Sequence, residues 1–313
     1  MAASDSRSCY LILSLDGGGV AGAHQARILE RLENAMPFLS RVELVGGSSI
    51  GGINALCLAA GCSPTEMVEL YSDRAKNIFK KRDWWDSIAG SGDEIYRSNY
   101  DNNGLREELE GLLGDKLLGD LDKRVLISSF DLDNQDARSA TNDQRRRFWK
   151  AKFFHNYDSP GNDKDQLAVD VGLRTSAAPT YFPSYQGYID GGLVANNPSL
   201  CAIGRAVKSG VPLEEIVVLS IGAGFSPAYI EGERLDWGYK QWIPLLMPMC
   251  LDGMTGIPDY VCEQLLPNRY VRVQSFLQEG ISLDGVDNID DLIGWADSAD
   301  ISFAVDLLAS LPT

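Results

Sequence analysis

The chain has little histidine, an excess of acid over base, no paired-cysteine motif and no long apolar run. His24 and His155 are its only histidines in 313 residues. A triad ordered serine, acid, histidine needs a histidine after both partners. His155 lies in an alternating stretch beside Phe153 and Phe154, and His24 lies on a helix-like segment with no evident orienting acid. A Ser-His-Asp triad is therefore disfavoured. Lys and Arg number 28 against 44 Asp and Glu, a net charge of −16. Nucleic-acid binding rests on clustered cations against phosphates, so nucleic acid is not an expected partner. Bulk charge does not draw such a chain to an anionic membrane either. The six cysteines, at positions 9, 57, 62, 201, 250 and 262, make no C-x-x-C. The polar first eight residues lack the apolar core of a signal peptide, so reduced thiols and a cytoplasmic location are expected. The longest apolar run, residues 242–251, is broken by Pro244 and Pro248 and is too short to span a bilayer.

What is present is an ordinary globular composition, 44% hydrophobic and 23% charged, able to bury a sizeable core. Strand-like stretches at 10–15, 42–45, 124–131, 147–155, 185–189, 215–221 and 270–274 alternate with helical patterns. Helices are expected after the first two strands, from Pro64, at 103–113, 165–176, 199–208 and 260–266, and from about Asp290. This alternation predicts βαβ units, hence an α/β fold with a mainly parallel central sheet covered on both faces. No repeat or linker is evident. One domain over 8–313 is expected, with a peripheral portion at 225–313.

Three segments carry chemistry. Gly47-Ser48-Ser49-Ile50-Gly51 has G-x-S-x-G spacing between an apolar strand-like run and an apolar helix-like run. Such a strand-to-helix turn thrusts its central residue, Ser49, out at a helix N-terminus, where N–H groups favour developing negative charge. Gly17, Gly19 and Gly22 fit G-x-G-x-x-G after a strand and before a helix. That pattern suits a dinucleotide loop, although Asp16 would repel a pyrophosphate. Bare backbone N–H groups at Gly17, Gly18 and Gly19 equally suit an oxyanion hole. With no histidine placed for the task, the base for a serine falls to a carboxylate. Asp190, before Gly191 and Gly192, follows a short strand; read alone, it is a turn residue.

Together, Asp16 to Gly22, Gly47 to Gly51 and Asp190 to Gly192 resemble the three ordered motifs of the patatin-like phospholipases. Further stretches are similar to the family: Ser176-Ala177-Ala178-Pro179-Thr180-Tyr181-Phe182-Pro183, Asn196-Asn197-Pro198 and Phe130-Asp131-Leu132-Asp133. The resemblance covers about residues 10–224. It implies a three-layer α/β/α sandwich, a Ser49 nucleophile, an Asp190 general base and oxyanion donors at Gly17, Gly18 and Gly19. It also implies an acyl-lipid ester substrate and no metal or cofactor. The family often carries Arg or Lys where this chain has Ala21.

Other features read two ways. Residues 79–88, with Trp84 and Trp85 near Lys80, Lys81 and Arg82, suit either a lid or interfacial anchor or a loop packed on the core. Residues 237–254 suit an acyl pocket, a partner surface or plain core packing. Asp131, Asp133 and Asp136 lack the glycine and closing glutamate of a calcium loop. The run Arg145 to Arg147 reads as a solvated face. Competing functions are an acyltransferase of related fold, which would want a histidine, and a nucleotide-binding regulatory module using the Gly17–Gly22 loop. Transient membrane-surface contact and a homo-oligomer are both compatible with the sequence.

Overall fold

The structure is a computed structural model that describes residues 9–78, 98–134, 147–232, 235–277 and 281–312. The Trp84–Trp85 segment, Asp136, Arg145 and Arg146 lie outside the described residues. Seven strands form one sheet: β1 (Tyr10–Leu15), β2 (Val42–Gly47), β3 (Arg124–Asp131), β4 (Lys150–His155), β5 (Tyr188–Ile189), β6 (Ile216–Ile221) and β7 (Tyr270–Val273). The order is β4-β3-β2-β1-β6-β7, with β5 also pairing to β3. β1, β2, β3, β6 and β7 are mutually parallel. β4 and β5 run antiparallel to β3.

The helices are α1 (Gly22–Ala35), α2 (Ser49–Ala59), α3 (Pro64–Ile78), α4 (Asn103–Leu113), α5 (Ala168–Thr175), α6 (Gly192–Ala195), α7 (Ser199–Lys208), α8 (Tyr239–Leu265), α9 (Ile289–Ser298) and α10 (Ser302–Ser310). Side chains alternate across a strand, which divides the core into two layers. Leu11, Leu13, Leu15, Val45, Ile127 and Leu219 join one cluster with Ile28 and Leu32 of α1, Leu56 of α2 and Leu308 of α10. Ile12, Leu44, Leu126 and Val218 face the other way, against Ala202, Ile203 and Ala206 of α7 and Cys262 of α8. The central strands read as unbroken apolar runs because both faces are covered. The result is an α/β/α sandwich.

Two details set up the site. In the first, the ends of β1 and β2 are level, with Leu15 paired to Gly47. The loops that follow them therefore leave the sheet side by side. In the second, β3 outruns β2, which pairs only with residues 124–127 of that strand. β5 fills the vacated edge, Ile189 opposite Phe130 and Tyr188 opposite Asp131. Its antiparallel direction aims the next residue, Asp190, back at the end of β2.

One helix differs from the sequence expectation. The prolines of 242–251 do not end a segment; α8 runs through Pro244, Pro248 and Pro258 for 27 residues. A proline inside a helix frees the carbonyl four residues earlier. At Pro258 that carbonyl belongs to Met254, and it accepts the Asn197 N–H at 3.3 Å instead. The break in the helical ladder thus becomes a tie between α8 and the segment after Asp190. Among the described residues no helix is long and apolar enough to cross a membrane.

Candidate active site

Ser49 opens α2 with φ of +51°, in the left-handed region that a non-glycine residue occupies at a cost of about 1–3 kcal/mol. Its surroundings hold it there. A Cβ on Gly51 would stand 2.3 Å from the Leu15 carbonyl oxygen and 2.4 Å from that of Asp16, backbone atoms with nowhere to move. Only glycine lets the first turn of α2 press so closely on the end of β1. The Ser49 N–H donates to Thr175 Oγ1 at 2.9 Å.

Thr175, the last residue of α5, also fixes the opposite loop. Its carbonyl accepts the Gly191 N–H at 2.9 Å, and the Asp190 N–H donates to the Ala177 carbonyl at 3.0 Å. Asp190 is buried. Its Oδ2 accepts the Ser49 hydroxyl at 2.6 Å, and its Oδ1 accepts the Gly192 N–H at 2.7 Å. Burial pushes the carboxyl up to about 6, and the hydrogen bonds from Ser49 and Gly192 pull back against that rise. A carboxylate so tuned is a stronger base than an exposed aspartate and is still ionised at neutral pH.

The glycine-rich loop lies against this pair. A Cβ on Gly17 would stand 3.1 Å from Ser49 Cβ. The Gly17 N–H, however, donates to the Asn196 carbonyl at 3.1 Å. It is committed to structure, which narrows the expected oxyanion donors to Gly18 and Gly19. The N–H groups of those two have no partner among the described residues. Gly19 has φ of +57°, and a Cβ there would fall 2.1 Å from the Leu283 carbonyl oxygen. That same carbonyl accepts the Val20 N–H at 2.9 Å. The Leu283 backbone therefore packs directly against the loop at Gly19 and Val20.

Beneath the loop, Asp16 is buried and bonded through Oδ2 to the Arg272 guanidinium at 2.5 Å. Arg272 also donates to Ser220 Oγ at 2.7 Å. Burial raises the Asp16 carboxyl, opposed by Arg272, while Asp16 in turn holds the guanidinium charged. Gln25 ties the loop to the sheet, its Nε2 donating to the carbonyls of Asp16 at 3.2 Å and Ile221 at 2.9 Å.

Ser49 and Gly19 open into a narrow cleft of about 40 Å³ walled by Ile50, Ile53, Ile78, Leu105 and Phe182. The Ser176 to Pro183 segment gives this cleft Ser176, Ala178, Tyr181 and Phe182. Neither histidine lines it. His24 is fully buried on α1, and burial lowers its imidazole to about 4, so it is neutral at pH 7. His155 sits in β4, its N–H given to Asp163 Oδ2 at 3.1 Å and its imidazole lowered by burial.

Sequence reasoning missed Thr175, Asn196 as a partner of Gly17, Leu283 and Arg272. Asn196 alone had a signal, as part of Asn196-Asn197-Pro198. Thr175 is open to test. Thr175→Val keeps the shape but removes the acceptor, leaving the half-buried Ser49 N–H without its partner at a cost of about 1 kcal/mol. The expected outcome is a fall in kcat of roughly fivefold, given that 1.4 kcal/mol is a factor of ten. KM changes little, and Thr175→Ser restores the rate. Steady-state kinetics of the two variants check it; equal losses in both would point to packing alone.

A mainly parallel sheet between two helical layers, with a serine and a buried carboxylate joined at its C-terminal edge, places the chain among the α/β/α proteins. The family model described as patatin-like phospholipase matches residues 13–203, and the chain belongs to that family. It is 35% identical to Protein teg of Priestia megaterium over 73% of this chain and 68% of that one. It is 30% identical to a cGAMP-activated phospholipase of Escherichia coli, over 93% and 82% respectively. A cGAMP-activated phospholipase of Pseudomonas aeruginosa is 29% identical over 84% of this chain and 78% of its own. Family membership makes this protein, in general terms, a lipid acyl hydrolase.

Proposed function

We propose that the protein is a serine esterase of the phospholipase A type, cleaving carboxylic esters of phospholipids or lysophospholipids through Ser49 and Asp190. The observation that carries this reading is the 2.6 Å hydrogen bond from Ser49 Oγ to Asp190 Oδ2 beside an apolar cleft. Asp190 Oδ2 takes the hydroxyl proton as Ser49 Oγ attacks the ester carbonyl carbon. The oxyanion that forms is met by the N–H groups of Gly18 and Gly19, aided by the N-terminus of α2. The alcohol leaves with the proton returned from Asp190. Water, deprotonated by Asp190, then attacks the acyl-serine; the fatty acid departs and Ser49 regains its proton. The cleft's apolar walls suit an acyl chain and offer little to a charged head group, which supports a lipid over a small polar ester.

A fluorophosphonate probe followed by peptide mapping tests the nucleophile; the expected adduct is on Ser49. A panel of phospholipids, lysophospholipids, glycerides and short p-nitrophenyl esters tests the substrate. Fatty-acid release from the phospholipids, absent in Ser49→Ala, is the expected outcome. Labelling elsewhere, or release that survives Ser49→Ala, overturns the reading.

A further inference from the structure

α8 is two different surfaces end to end. Its second half is fastened to the body. Leu251 reaches the segment after Asp190, where its Cδ2 lies 2.9 Å from the position of a Cβ on Gly192. Thr255 Oγ1 accepts from Asn196 Nδ2 at 2.8 Å, and Pro258 and Cys262 are buried. Its first half, residues 239–250, is exposed or half-exposed at every position. Tyr239 is 85% exposed, Ile243 60% and Leu246 51%, with Met247 and Met249 also exposed. Trp242 packs on Trp237 with ring centroids 5.2 Å apart.

The charge pattern of this half differs from the rest of the chain. Residues 237–251 contain Lys240 and no acid, in a protein with 44 acidic residues among 313. About two acids are expected in a window of that length at the chain's own rate. The first, Asp252, comes where the helix meets the body.

We infer that residues 237–250 are a docking element for a lipid surface, resting on the acyl-lipid hydrolase reading above. A helix apolar around its circumference, with aromatics at one end and a lone base, suits the head-group boundary of a bilayer. Twelve residues rise only about 18 Å, too little to span the ~30 Å hydrocarbon core. Two prolines fix the depth. Pro244 and Pro248 free the carbonyls of Lys240 and Pro244, which need water and so hold the helix at the interface rather than within the hydrocarbon. The absence of acids removes the groups that lipid phosphates repel. A second copy of the chain is the less suited occupant, because it brings another −16 of like charge to the contact. The helix joins the body at Leu251 and Thr255, beside the segment that carries Asp190, so docking brings the ester-cleaving edge to the lipid.

The test uses Ile243→Glu, Leu246→Glu and Met249→Glu together, with and without Ser49→Ala. Co-sedimentation of the Ser49→Ala protein with phosphatidylcholine vesicles is expected to fall at least tenfold when the three glutamates are added. With Ser49 present, hydrolysis of phosphatidylcholine in vesicles falls by a similar factor, while hydrolysis of a soluble short p-nitrophenyl ester is unchanged. Vesicle binding that survives the three glutamates overturns the inference. So does a dimer that the glutamates split while vesicle binding persists, since a second copy then covers the helix. An intact protein that cleaves neither substrate sinks the hydrolase reading, and the co-sedimentation result alone then decides the docking element.

Discussion

Ser49→Ala lowers ester hydrolysis by at least about 10³-fold, the scale on which loss of an activated nucleophile acts. Asp190→Asn lowers it by about 10²–10⁴-fold, the range of a general base. The two variants separate by pH. In the intact protein the Asp190 carboxyl, raised to about 6 by burial, must be ionised to take the Ser49 proton. Activity is therefore expected to rise with pH through about 6, with a slope of one proton, and then level off. The residual activity of Asp190→Asn shows no such limb.

The same carboxyl has a stability signature of opposite sign. A pKa higher in the folded state than the ordinary value near 3.9 means that protonation favours folding. Stability from this group is fully present below pH about 4 and is lost as pH rises through about 6. Asp190→Asn is thus expected to be more stable than the parent at pH 7, by on the order of 2–3 kcal/mol, with the gap closing toward pH 4. Denaturant titrations at the two pH values check this without any substrate. An inactive variant with no pH-dependent gain would mean that Asp190 is not the buried titrating group.

Arg272→Ala is expected to cost about 3–5 kcal/mol of stability, because it strands Asp16 as an unpaired buried charge. The side chains are 9% and 3% exposed, so water cannot take over the pairing. Asp16→Asn added to Arg272→Ala recovers much of the loss by removing the orphaned charge, a double-mutant cycle with strong coupling. Chemical denaturation of the four proteins measures it. A single-variant cost below about 1 kcal/mol, the level of an exposed pair, would contradict the buried geometry.

The parts of the site legible in the sequence were those marked by backbone demands. Gly47 and Gly51 flag a helix pressed on a strand, and Gly19 a backbone pressed on the Leu283 carbonyl; a Cβ has no room at any of the three, so they leave a trace. Ser49 and Asp190 were legible by spacing and by the lack of a usable histidine. Thr175, Leu283 and Arg272 were not, because each acts through one hydrogen bond or one carbonyl brought from a distant element, and such contacts leave no periodicity. The partner of the Gly17 N–H was not legible either: it donates to Asn196, 179 residues away, and motif spacing does not say where an N–H points. The sheet was read from apolar runs that reflect burial on both faces. α8 was read as broken at Pro244 and Pro248, where a proline frees a helical carbonyl; both lie on the exposed half of the helix, where water is at hand for the carbonyls of Lys240 and Pro244.

The vacancy beside β3 has a bearing on how the protein can diversify. Asp190 is set by two paired residues of β5 and by the carbonyls of Thr175 and Ala177, so its address is local. The chain between Asp131 and Tyr188 does not set it by length. Changes of chain length between Asp131 and Tyr188 therefore leave the Ser49–Asp190 hydrogen bond in register. The fold thereby offers a site at which specificity can evolve at little cost to chemistry.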